Sequence, residues 1–128
     1  MAITLSGTSG ITMPIGSASN ASVVAWANFS GVGTSGSATI RGSYNVSSIT
    51  INSAGYWTVN LASAIQDINY SVVGSLSATS GTGQTNTFQP FVNPTTGLNA
   101  APTTTSFVCS SMNGGGTQPV YANIAVFR

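Results

Sequence analysis

Charge is almost missing from this chain. Its 128 residues include two basic side chains, Arg41 and Arg128, one acid, Asp67, and no histidine, lysine or glutamate. That scarcity excludes most catalytic chemistry. No general base of the usual kinds is present to activate a serine or Cys109. A lone carboxylate cannot supply the pair that glycoside hydrolysis needs. Asp67 and Cys109 are too small a donor set for a zinc site. Gly114-Gly115-Gly116 is not a phosphate loop, because no Lys-Ser/Thr follows it. The expectation is a protein that is not an enzyme and holds no cofactor or metal. Nucleic-acid binding lacks the basic surface it requires.

Long apolar runs are missing too. No stretch reaches the ~18 residues of a membrane-spanning helix, so no membrane insertion is expected. Residues 1–15 lack the basic start and continuous apolar core of a secretory signal, which implies synthesis in the cytoplasm. The single cysteine excludes an intramolecular disulfide, and its place in an alternating run suggests a small buried hydrophobe.

What is present is a chain 41% hydrophobic, rich in Ser, Thr, Asn and Gly. It is too apolar and too poor in charge to be disordered, and long enough for one domain with a real core. A net charge near zero favours self-association. Alternating apolar and polar residues predict strands over 23–29, 38–46, 49–52, 56–61, 69–78, 88–92, 105–112 and 120–127. In the second of these, Ile40, Gly42, Tyr44 and Val46 share one parity. Residues 62–68 are the one place where a helical turn is plausible. Pro90 marks its strand as an edge.

Ser53-Ala54-Gly55 closes a bulged hairpin, with glycine at the left-handed position. That turn pairs Ile49 with Val59 and Ile51 with Trp57 on an apolar face, leaving Thr50, Asn52, Tyr56 and Thr58 on a polar one. Trp26 and Trp57, each in an alternating strand, are read as core. The fold class is all-β, an antiparallel β-sandwich of the jelly-roll or Ig-like kind. Residues 1–20 form an arm, either a first strand or a segment that docks to a neighbour. Residues 21–128 form the sandwich. Strands that reverse in turn place loops 30–37, 53–55, 79–87 and 113–119 at one end. The N-terminal arm, the C-terminus and loops 62–68 and 93–104 then lie at the other.

Four words in order, AWANF, IRGSYNVSSIT, YWTVNL and the terminal YANIAVFR, resemble a small β-domain of tail-fibre and other virion proteins of tailed bacteriophages. The resemblance runs through most of the chain. It implies a virion protein, assembling as a homo-oligomer with a trimer preferred, in contact with other virion proteins. Its role would be a tail fibre or spike module that binds a host cell-surface glycan. The alternative is a capsid decoration, cement or head-fibre protein that binds only virion proteins. The family usually carries acidic residues around the hairpin turn, where this chain has Ile51 and Tyr56, and that loss of charge implies a protein contact there. A polar, uncharged surface with occasional aromatics suits neutral glycans. By loop position the candidate ligand contacts are Tyr56, Gln84, Asn86 and Asn113. Ordinary turn chemistry for the amides, and a subunit contact for Tyr56, are the competing readings.

Overall fold

A computed structural model describes residues 4–6, 10–12, 22–77, 86–93, 96, 98–112 and 118–128. The strands in chain order are β1 (Thr4–Ser6), β2 (Gly10–Thr12), β3 (Val23–Phe29), β4 (Gly36–Ser37), β5 (Ile40–Tyr44), β6 (Val46–Ser53), β7 (Tyr56–Leu61), β8 (Ser71–Leu76), β9 (Thr87–Pro90), β10 (Ser106–Met112) and β11 (Ala122–Phe127). β1 and β2 pair with each other as a two-stranded sheet; the rest of the expected arm lies outside the described residues. Two larger antiparallel sheets carry the fold. One has five strands in the order β4-β6-β7-β10-β9, the other four in the order β5-β3-β11-β8. No helix occurs among the described residues, and 62–68 is irregular chain with two bends. β9, with Pro90, is an edge strand, where a missing N–H costs least.

The sheets face each other across one apolar core. Ala25, Ala27, Phe29, Ala122, Ile124 and Val126 enter it from the four-stranded sheet, and Ile49, Ile51, Trp57, Val59, Phe107 and Cys109 from the five-stranded one. Phe29 and Trp57 meet edge to face across the layers, ring centroids 5.6 Å apart. The β6–β7 hairpin has the register read from sequence. Ile49 faces Val59, Thr50 faces Thr58 and Ile51 faces Trp57, and a bulge precedes Ser53↔Tyr56. Gly55 closes the turn at φ 78°. Ile51 is only 4% exposed. Its place in the core, and not a partner protein, accounts for an apolar residue there.

Strand directions follow the expected alternation. β3 ends and β11 begins at one end, where Phe29 pairs with Ala122, and Val23 pairs with Phe127 at the other. Tyr56 and Ser110 lie toward the first end, Asn60 and Ser106 toward the second. The predicted strand over 38–46 differs. Asn45, at φ 54°, breaks it into β5 in one sheet and β6 in the other. Asparagine is among the few side chains that tolerate this left-handed conformation. Its side chain is tied on both atoms: Nδ2 donates to Val24 O (3.1 Å) and Ser63 O (3.2 Å), and Oδ1 accepts from Ser63 N (2.8 Å). One residue thus carries the chain between layers and resets its parity, so Val46 packs on the core while Tyr44 is 59% exposed.

Candidate functional site

The inward residues of the four-stranded sheet are small or aliphatic apart from Phe29, and its large aromatics point the other way. Because side chains alternate, burying Ala25, Ala27 and Phe29 turns Trp26 and Asn28 outward. Trp26 is 42% exposed, which corrects its reading as a core residue. Register places Tyr44, Trp26, Ala125 and Val73 side by side in one row across the four strands. The six-membered ring of Trp26 leans over Gly42, where an added Cβ would sit 3.5 Å from Cη2 and Cζ3.

The next row, about 7 Å further along the strands, is Gly42, Asn28, Asn123 and Ser75. It forms an amide ladder. Asn28 Nδ2 donates to Asn123 Oδ1 at 2.6 Å, and Asn123 Nδ2 donates to Ser75 Oγ at 3.3 Å. These bonds hold the amides in place and leave the Asn28 carbonyl oxygen free to accept. Beside the ladder, Val73, Gly74, Ser75, Asn123, Ile124 and Ala125 line a shallow open depression of about 330 Å³. Gly74 is required from the core side, where a Cβ would come within 2.7 Å of the Phe88 ring. Tyr121 has the outward parity of Asn123 and Ala125. It is 53% exposed, with the Arg41 guanidinium 4.4 Å above its ring.

Of the residues proposed from loop position, the two that are described, Tyr56 and Asn86, do not lie on this face. Tyr56 is half-buried at the start of β7, on the outer side of the other sheet. Its cross-strand neighbour Ser110, which also pairs with Gln89, is fully buried and its hydroxyl has no hydrogen-bond partner among the described residues. Asn86 donates from Nδ2 to Ser77 O at 2.7 Å, bracing the end of β8 against the start of β9. Gln84 and Asn113 lie outside the described residues. Cys109 is fully buried and its thiol is pushed up to about 12 by burial, so it packs as a hydrophobe. Trp26, Tyr44, Asn28 and Asn123 were missed by the sequence reading. The available signal was the parity shared by Trp26 and Asn28, opposite to Phe29.

The face is therefore an exposed aromatic platform bordered by oriented amides, with no carboxylate on it. It can stack a flat apolar surface and hydrogen-bond hydroxyls. Comparisons with models of protein families, with curated proteins and with solved structures find no match.

Proposed function

We propose that this chain is a receptor-binding module of a tailed-phage virion, a fibre or spike domain that holds a host-surface glycan. The ligand lies on the outer face of the four-stranded sheet. The observation that carries this reading is the solvent-facing pair Trp26 and Tyr44 beside the Asn28–Asn123–Ser75 ladder. A sugar ring presents an apolar C–H face to the indole and hydroxyls to amides already oriented by their neighbours. The phage setting rests on the resemblance of the four sequence words. The same reading includes a sandwich of the jelly-roll or Ig-like kind assembled as a trimer. Near-zero net charge supports that assembly.

A second reading has its own support. Val73 and Val23 are 52% and 45% exposed, which extends the apolar patch beyond the area one sugar needs. A protein partner, as for a capsid decoration or cement protein, would cover more of it. Light scattering and binding to a panel of bacterial surface polysaccharides, on the natural chain and on Trp26→Ala, separate the two. Loss of polysaccharide binding with the oligomer unchanged is the expected result. An oligomer that falls apart on Trp26→Ala places this face between copies and overturns the glycan reading.

A further inference from the structure

The charge of the molecule is unevenly matched. Its single acid, Asp67, is held by Arg128. Arg128 is also joined to the start of β3 by two backbone bonds, Ser22 N to Arg128 O and Arg128 N to Ser22 O. Val23 pairs with Phe127 at that same end. Arg41 lies at the opposite end of the four-stranded sheet, at the bulge between the pairs Asn28↔Gly42 and Phe29↔Ile40. No side-chain carboxylate remains in the sequence to pair with it.

Arg41 is nevertheless held in place. Its Nη2 donates to Val120 O at 2.8 Å, and its guanidinium lies over the Tyr121 ring. A guanidinium carries five N–H donors, and one of them is used by this carbonyl. Stacking and the backbone bond reduce the freedom that a surface arginine would lose on meeting an anion. Position adds to this. On the outer face the Trp26 row, the amide row and Tyr121 follow one another at about 7 Å intervals along the strands. An oligosaccharide stacked on Trp26 and running over Asn28 and Asn123 therefore reaches Arg41 within a few sugar units.

We propose that the ligand of this face is an acidic glycan, whose carboxylate or phosphate is bound by Arg41 at the Tyr121 end of the track. The inference rests on the glycan reading above and adds the sign of the ligand's charge. An uncompensated, oriented guanidinium beside an otherwise uncharged surface is complementary to one anionic group, and arginine takes such groups through paired N–H donors.

The test uses the full chain and a panel of bacterial polysaccharides and oligosaccharides. Each acidic member is paired with a form whose carboxylate has been reduced or whose phosphate has been removed. The expected result is binding to acidic members that weakens about tenfold or more in the neutralised partner, since bonds to charged groups are the stronger ones. Arg41→Gln should bring acidic and neutral forms to the same affinity, Arg41→Lys should restore part of the difference, and Trp26→Ala should weaken both forms. Binding to the acidic form should fall with added salt. The pairs that respond, carboxylate or phosphate, identify the anion. Equal binding of acidic and neutralised members, with Trp26 still required, overturns this inference and leaves the glycan reading standing. No binding anywhere on the panel overturns both.

Discussion

Each large sheet carries one tryptophan, and the two face opposite ways. Trp57 on β7 points inward and is fully buried against Phe29, whereas Trp26 on β3 points outward and is 42% exposed. The outer surfaces differ in the same sense. On the five-stranded sheet the outward polar groups bond to one another: Asn52 Nδ2 to Thr58 Oγ1 at 2.9 Å, Asn60 Nδ2 to Ser48 Oγ at 3.0 Å and to Thr50 Oγ1 at 3.3 Å. That face is a closed ladder with little apolar area to offer. On the four-stranded sheet, Trp26, Tyr44, Val73 and Tyr121 stay exposed while only the middle row is tied. The five-stranded sheet, whose strands are richer in Ser, Thr and Asn, thus makes a face that satisfies itself, and the four-stranded sheet one that has surface left to bury.

The contrast is tested most strongly by the tryptophans themselves. Trp57→Ala should cost about 3–5 kcal/mol, the usual range for emptying a large aromatic site in a core. Trp26→Ala should change stability by no more than about 1 kcal/mol while removing ligand binding. Denaturant unfolding of the two variants checks the first half and the polysaccharide panel the second. Comparable destabilisation by both would mean that the outer face of the four-stranded sheet is core-like, covered by another chain.

Asn45 sharpens the comparison from the backbone side, because it delivers β5 to one sheet and β6 to the other. Asn45→Ala removes three side-chain hydrogen bonds and leaves a β-carbon in the left-handed region. A loss of about 1–3 kcal/mol is expected. Asn45→Gly should recover part of it, since glycine accepts that conformation. If glycine is no better than alanine, the hydrogen bonds and not the backbone dominate.

These positions also mark how far the sequence could be read. The β6–β7 hairpin was legible from Ile49 through the turn to Leu61, because Ile49, Ile51, Trp57 and Val59 alternate without interruption and Gly55 fixes the turn, but the start of β6 at Val46 was not. The two-sheet, all-β plan was legible from the same periodicity. Asn45 was not. Its flanks, Tyr44 and Val46, read as one continuous alternation, and nothing local distinguishes a straight strand from one that switches layers at a single left-handed residue. Trp26 was misread for a related reason. Its place in an alternating strand argued for the core, but the opposite parity holds Ala25, Ala27 and Phe29, and three buried positions outweigh one. The proposed binding face depends on cross-strand neighbours far apart in sequence, such as Trp26 with Ala125 and Asn28 with Asn123, which periodicity along one strand does not reveal. Tyr56 and Asn86 stand out in the sequence by loop position and side-chain type, neither of which reveals packing, and the structure gives Asn86 a bracing role.

A smaller effect is expected on the closed face. Asn60→Ala breaks two side-chain bonds at a partly exposed site, where water can replace them, so the loss should be about 0.5–1 kcal/mol. Polysaccharide binding should stay unchanged. A binding defect in Asn60→Ala would show that the ligand lies on the five-stranded sheet instead.

The smallest effect expected is that of pH on folding. Asp67 is hydrogen-bonded by the Arg128 guanidinium and by the Asn69 backbone N–H, and these donors hold its carboxyl below its ordinary value. A depressed folded value means that the unfolded chain binds the proton more readily. The contribution is therefore present above the unfolded value near ~4 and is lost as pH falls through the folded one. No histidine is available to titrate at higher pH, and burial pushes both the Cys109 thiol and the Tyr70 hydroxyl up to about 12. The melting temperature should accordingly be flat from about pH 5 to 8 and decline only in stronger acid. Asp67→Asn should flatten that decline. Salt should leave melting unchanged, since one exposed ion pair among the described residues offers little to screen. Ligand binding through Arg41 should weaken over the same salt range. Folding indifferent to salt and binding sensitive to it would separate the core, which has no charge, from the one face that ends in an unmatched one. A melting transition between about pH 5 and 8 would require a titrating group outside this account.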